Sequence, residues 1–314
     1  QLKNLFKKNY NKTIKKIPRG AAPVPAPPHC DFYAKNFCNI VDLKRALSCR
    51  MCSSIKLTEV IFMALSEEAK LYIRKAFGDE QELEKTDPEF YEFFSNFAYG
   101  EVRGALSLDE KTAHMSQLAV LLGCGGVDEF REVLPAALNC GVSPEEAREV
   151  VYQAVAYLGL GRVRPFIKAM NEVFSSRGIN LPLAAQGTTC EETRLSAGNQ
   201  AQVDIFGEGM REFWKGAPEG RDKVNYWLAD NCFGDYYTRG ALDYKQRELI
   251  TFCYLYAQGG CEPQLLSHVV GNIKVGNGKD LLYKVVMYNI PYIGYPRSLN
   301  ALTAVDTAAK NMGM

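Results

Sequence analysis

Nothing in this chain is long and apolar enough to cross a bilayer. Its longest nearly apolar stretch, Leu249–Ala257, falls well short of the roughly 20 apolar residues a spanning helix needs. Net charge is almost absent too. The 37 Lys+Arg against 36 Asp+Glu leave +1, so the broad basic surface that nucleic-acid binding requires is missing. Acids are absent before Asp31 and serines before Ser48. The basic start is followed by no apolar run of signal-peptide length, and a transit peptide would be rich in serine. No segment alternates apolar and polar residues convincingly, so strands are not expected. The expectation is a cytoplasmic protein with no membrane and no nucleic-acid partner.

What is present is an ordinary globular composition, 314 residues of which 47% are apolar and 23% charged. That length suits about two domains of ~100–200 residues. The charge is uneven. Residues 1–54 hold 11 basic and 2 acidic groups, and residues 55–314 hold 26 and 34. Five prolines fall between Pro18 and Pro28. A stiff, basic segment poor in large apolar groups cannot offset the entropy of ordering itself. Residues 1–55 are therefore expected to be a disordered leader, and since Met63 opens the first amphipathic stretch, its place in the working protein stays open.

Ten cysteines are present. Cys49-Arg-Met-Cys52 has the spacing of a zinc or redox pair, but Cys30 and Cys38 are too far apart to complete a zinc ribbon. No metal is expected. Cys124, Cys140, Cys190, Cys232, Cys253 and Cys261 are scattered through helical patterns and read as free thiols.

A repeat of about 135 residues decides the architecture. Arg103-Gly-Ala-Leu106 recurs as Arg239-Gly-Ala-Leu242, and Tyr157-Leu-Gly-Leu-Gly-Arg162 as Tyr292-Ile-Gly-Tyr-Pro-Arg297. Gly100 pairs with Gly234, Gly141 with Gly276, and Phe77-Gly78 echoes Phe206-Gly207. Helix signals fill each module. Ser143-Pro-Glu-Glu146 is a capping box with proline at the first helical position. Ser107-x-x-Glu110 and Asp243-x-x-Gln246 look like capping signatures at matching places. They should open nearly all-apolar helices around Leu118–Leu122 and Leu249–Ala257, the buried centre of each module. Gly141 and Gly276 suit helix C-termini. The expected fold is all-α, a tandem duplication of a roughly six-helix module over residues 64–180 and 190–314.

These signals resemble the carboxymuconolactone decarboxylase family. The second module carries the resemblance at Gly234-Asp-Tyr-Tyr-Thr-Arg239-Gly-Ala-Leu242-Asp-Tyr-Lys-Gln246, at Cys261-Glu-Pro-Gln-Leu-Leu-Ser-His268 and at Tyr292–Arg297. The first carries it at Gly100–Arg103, Leu106–Glu110, Ala137–Gly141 and Tyr157–Arg162. The resemblance implies an all-helical fold and ring-like homo-oligomers, and a choice between lactone-acid decarboxylation and the thiol chemistry of alkylhydroperoxidase-D-like relatives. Against that pattern the acid and histidine look split. Glu110 in the first module faces Val133 where the histidine would be, and His268 in the second faces Gln246 where the glutamate would be. Neither module has the Cys-x-x-Cys of the thiol branch.

His268, among Leu265, Leu266 and Val269, is the candidate general acid or base. Glu110 and Gln246 are candidates with equally good capping roles. His114 lies one turn beyond Glu110, where a solvated pair is the simpler reading. Arg239, Arg103 and Arg297 could hold a substrate carboxylate bidentately or simply brace turns. Cys261 would be a thiolate if a helix N-terminus and His268 meet it. Tyr236, Tyr237 and Trp227 read as packing aromatics. The leading expectation is a cofactor-free, decarboxylase-like lyase acting on a small carboxylated, lactone-type substrate, with Arg239 holding the carboxylate and His268 moving the proton. Two alternatives stand beside it: peroxiredoxin-type hydroperoxide reduction through Cys261 or Cys124, and a non-catalytic oligomerisation scaffold. Because single-module relatives form rings, a duplicated chain is expected to form a homo-oligomer, a trimer mimicking a hexamer.

Overall fold

A computed structural model of the chain describes residues 64–79 and 81–314. The expected leader and its four cysteines lie outside the described residues. The described residues cluster as one compact unit, all-α, and among them no helix is long and apolar enough to span a membrane.

The first half runs α1 (Glu67–Ala76), α2 (Glu82–Thr86) and α3 (Pro88–Ser95) into a wide π-helical turn at Asn96–Val102. It continues as α4 (Arg103–Leu106), α5 (Glu110–Cys124), α6 (Val127–Asn139), α7 (Pro144–Leu158) and α8 (Leu160–Ser176). The second half repeats the order. Helix α9 (Arg194–Phe206) is followed by α10 (Asp222–Trp227) and a second π-helical turn, Leu228–Tyr237. Then come α11 (Tyr244–Gln258), α12 (Glu262–Lys274), α13 (Lys279–Tyr288), α14 (Ile290–Ile293) and α15 (Tyr295–Asn311).

The caps explain most helix starts. Ser143 and Glu146 form the reciprocal capping box of α7, and Asp243 with Gln246 forms that of α11. One expectation fails. Ser107 does not cap α5; it adopts a left-handed conformation at φ 45°, and Asp109 caps the helix by accepting from the Thr112 amide. A short carboxylate makes a good N-cap, and the extra turn carries the chain from α4 into α5. The two modules therefore fall out of step by two residues after Arg-Gly-Ala-Leu: Arg103 matches Arg239, but the caps that match are Asp109 and Asp243.

Helices α5 and α11 are apolar on nearly every face and are buried throughout Ala113–Gly123 and Arg247–Ala257. They pack against each other, so the two expected centres are one shared core. Gly123 permits the close approach, since a Cβ there would stand 2.7 Å from the Ala257 Cβ and 2.8 Å from the Tyr254 carbonyl.

Candidate functional site

Glu248 is fully buried on the second turn of α11. Its Oε2 lies 2.9 Å from Nδ1 of His268, on α12. The opposite oxygen, Oε1, accepts a hydrogen bond from the Tyr237 hydroxyl at 2.8 Å. Gly271, one turn beyond His268, makes room for this carboxylate, because a Cβ there would sit 2.4 Å from Glu248 Oε2. Asn272 ties the two helices together, donating to the Glu248 carbonyl at 2.9 Å and the His268 carbonyl at 2.7 Å.

This arrangement fixes the imidazole. A carboxylate can only accept, so the neutral ring carries its proton on Nδ1 and turns an Nε2 lone pair outward. The rings of Tyr157 and Phe206 stand edge-on to the imidazole, with centroids 5.4 and 5.6 Å away. Tyr237 spends its proton on Glu248, and so accepts from Thr251 Oγ1 and from the Tyr157 hydroxyl, each at 2.8 Å. Gln153 then donates to Thr251 at 2.8 Å. Tyr157 and Gln153 belong to α7, so the first module completes a site whose acid and histidine come from the second. Burial pushes the Tyr157 and Tyr237 hydroxyls well above the usual phenol range; they act as neutral hydrogen-bonding groups.

His268 lines a cavity of about 770 Å³ together with Phe206, Gln202, Cys232, Cys261 and Lys274. Its walls are mainly apolar, with a few polar groups and one cation, the usual make-up of a small-molecule site. Among the described residues, no three His, Cys, Asp or Glu side chains gather as a metal site would require.

The other candidates lie elsewhere or serve other ends. Gln246 is held in the capping box of α11 and does not line the cavity. The acid partner of His268 is Glu248, two residues further on. Glu110 pairs with Lys75 at 2.5 Å and with Arg103, and the Lys75 contact holds its carboxyl below the usual range. His114 is not a solvated partner of the Glu110 carboxylate. It is 1% exposed, with Nδ1 2.7 Å from the Glu110 carbonyl and Nε2 2.9 Å from the Tyr72 hydroxyl.

None of the three expected arginine anchors lines the His268 cavity. Arg239 makes a two-point contact with the buried Glu149, at 2.8 and 3.0 Å. Arg103 is taken by Glu110 and lies over the Tyr72 ring. Arg297 donates to the Ala257 carbonyl and borders a separate cavity beside Cys124. Each satisfies an acceptor within the protein, the bracing role first weighed for them. The cation at the His268 cavity is Lys274, which also donates to a protein acceptor, the Phe206 carbonyl at 2.5 Å, with one of its three N–H groups.

Cys261 precedes α12 but offers no cap; its sulfur donates to the Leu255 carbonyl at 3.3 Å, and burial pushes its pKa up. Burial likewise raises Cys124, and brings Cys232 up to about 12.

Residues of the candidate site that the sequence did not single out for such a role include Glu248, Tyr237 and Lys274. Glu248 had a signal: twenty residues before His268, it sits one turn past an N-cap that the capping pattern locates. Tyr237 had none, since its role depends on the π-helical turn.

The carboxymuconolactone decarboxylase family profile matches twice, at residues 88–172 and 223–307, more than half of the chain. A curated relative, 4-carboxymuconolactone decarboxylase of Acinetobacter baylyi, is 34% identical over 99 residues, covering 32% of this chain and 74% of its own. A crystal structure described as a gamma-carboxymuconolactone decarboxylase subunit, from Burkholderia xenovorans LB400, superposes with a TM-score of 0.47 at 17% identity. It covers 78% of this chain and 97% of its own.

Proposed function

Given that the chain belongs to the carboxymuconolactone decarboxylase family, we propose that it is a cofactor-free lyase that decarboxylates a small lactone acid, 4-carboxymuconolactone being the first substrate to test. The observation that carries this reading is the buried Glu248–His268 pair, 2.9 Å apart, at the wall of an apolar cavity. Lys274, at the rim of that cavity, takes over the anchoring of the substrate carboxylate from Arg239. As the bond to the leaving carboxylate breaks, carbon dioxide departs and the electron pair moves into the conjugated lactone carbonyl. Nε2 of His268, having first taken a proton from solvent, delivers it to the carbon skeleton and returns to the neutral ring, and Glu248 stabilises the transient imidazolium and keeps the ring in place. The apolar walls favour loss of a charged carboxylate as neutral gas.

His268→Ala should abolish carbon dioxide release while leaving the far-UV helical signal unchanged, and Glu248→Gln should lower kcat by about 10²–10⁴-fold. Retained turnover in His268→Ala sinks the assignment. We also propose that the working form is a homo-oligomer, a trimer built from duplicated chains. Tyr295 and Leu299, exposed on α15, supply apolar surface for it, and a strictly monomeric mass by light scattering would overturn it.

A further inference from the structure

A second cavity, of about 500 Å³, occupies in the first module the place that the His268 cavity occupies in the second. Leu121 stands for Leu255, Phe77 for Phe206 and Tyr292 for Tyr157. The chemistry is different. Val133 replaces His268 and is fully buried, so no acid–histidine pair forms. Glu129 and Glu132, on α6, replace Gln264 and Ser267. No lysine, arginine or histidine lines the cavity among the described residues.

Three observations say what this space would accept. First, Glu129 has neither ion pair nor hydrogen bond among the described residues, and burial, then the neighbouring Glu132, raises its pKa with no cation to offset them. A carboxylate half-removed from water and beside another is short of a positive charge. Second, Ser95 is fully buried at the wall, and its hydroxyl has beside it only the Tyr91 hydroxyl, one turn earlier, without reaching full hydrogen-bond geometry. Third, the wall is aromatic. Phe90 and Phe94 stack with centroids 5.6 Å apart, and Tyr99 and Tyr292 meet Phe94 edge-on at 6.1 and 6.2 Å. Ring faces attract cations and pack against other rings. An anion would meet three carboxylates, Glu82, Glu129 and Glu132, and a neutral hydrocarbon would leave Glu129 without a cation and Ser95 with no partner but Tyr91.

We propose that the first-module cavity is a binding site for a small arylalkyl ammonium compound. Its ammonium group donates to Glu129 and to Ser95 Oγ, and its ring lies against Phe90 and Phe94. The site does not depend on the chemistry assigned to His268.

The test is titration of the full chain with phenethylammonium chloride by calorimetry, with 2-phenylethanol and phenylacetate as neutral and anionic counterparts. Saturable binding of the ammonium compound alone is expected, weakened about tenfold or more in Glu129→Gln and unchanged in His268→Ala. Glu129→Gln keeps the side-chain shape and breaks no internal contact, and an unchanged melting temperature confirms that it folds. Absence of saturable binding, equal binding of 2-phenylethanol, equal affinity in Glu129→Gln or loss in His268→Ala would each overturn the proposal.

Discussion

Glu248 and Gln246 are two residues apart on one helix, and that separation turns one toward His268 and leaves the other at the helix end. The carboxylate is held so closely that Gly271 has no room for a methyl group: its Cβ would fall 2.4 Å from Oε2. Gly271→Ala should therefore push Glu248 off His268, cutting turnover sharply and costing about 1–3 kcal/mol of stability by urea titration. His114, which fills in α5 the position of Glu248 in α11, makes a different prediction. Burial above all lowers its pKa from 6.5, so the unfolded chain binds its proton first as the pH falls. Its stabilising contribution is complete above the unfolded value and is eroded as the pH falls through the lower folded one. The stability gap between the protein and His114→Gln should narrow as the pH falls below about 6.5, the unfolded value, as read by denaturant midpoints. At this scale His268 was singled out by the family resemblance, a histidine among apolar residues being by itself more often a packed one. Glu248 was hidden by the alignment frame, which followed the identical Arg-Gly-Ala-Leu segments across a two-residue slip that only the left-handed Ser107 and the Asp109 cap reveal.

Helices were the most legible level because local chemistry writes them. The boxes at Ser143 and Asp243 and the positive-φ glycines 141 and 276 stand where the residue types demand. The apolar character of α5 and α11 announced burial but not its partner, since an all-round apolar helix carries no facing direction. What joins them is Gly123, where the neighbouring atoms are the Ala257 Cβ and the Tyr254 carbonyl rather than the end of a flexible chain. Gly123→Ala cannot be absorbed by a rotamer change, so the helices must part. A loss of about 1–3 kcal/mol is expected, measured as a lower urea midpoint, although alanine is the better helix former. The two π-helical turns, at Asn96–Val102 and Leu228–Tyr237, had no sequence signature to read. The second nevertheless brings Tyr237 to Glu248, a case of a wide turn accompanying a functional site.

Across the whole molecule the two modules are joined by charge as well as by apolar packing. Glu149 of α7 is fully buried and receives Arg239 at 2.8 Å and Arg247 at 3.3 Å, both from the second module. Arg247 is itself fully buried and also donates to Gln153 Oε1 at 2.7 Å and to the Arg239 carbonyl at 2.7 Å. Through Gln153 and Thr251 this cluster reaches Tyr237 and hence the carboxylate that holds His268. Removing one partner of a buried pair leaves the other charge without water or counterion, a cost of about 3–5 kcal/mol. Glu149→Ala should lower the unfolding free energy by that order. Glu110→Ala, whose pairs with Lys75 and Arg103 are about a third exposed on the acid side, should cost no more than about 1 kcal/mol. Equilibrium urea unfolding of the two variants side by side decides it. Similar losses would mean that the modules are held by their apolar helices alone, and a large, selective loss in Glu149→Ala would mean that the Glu149 cluster is what locks the first module against the site in the second.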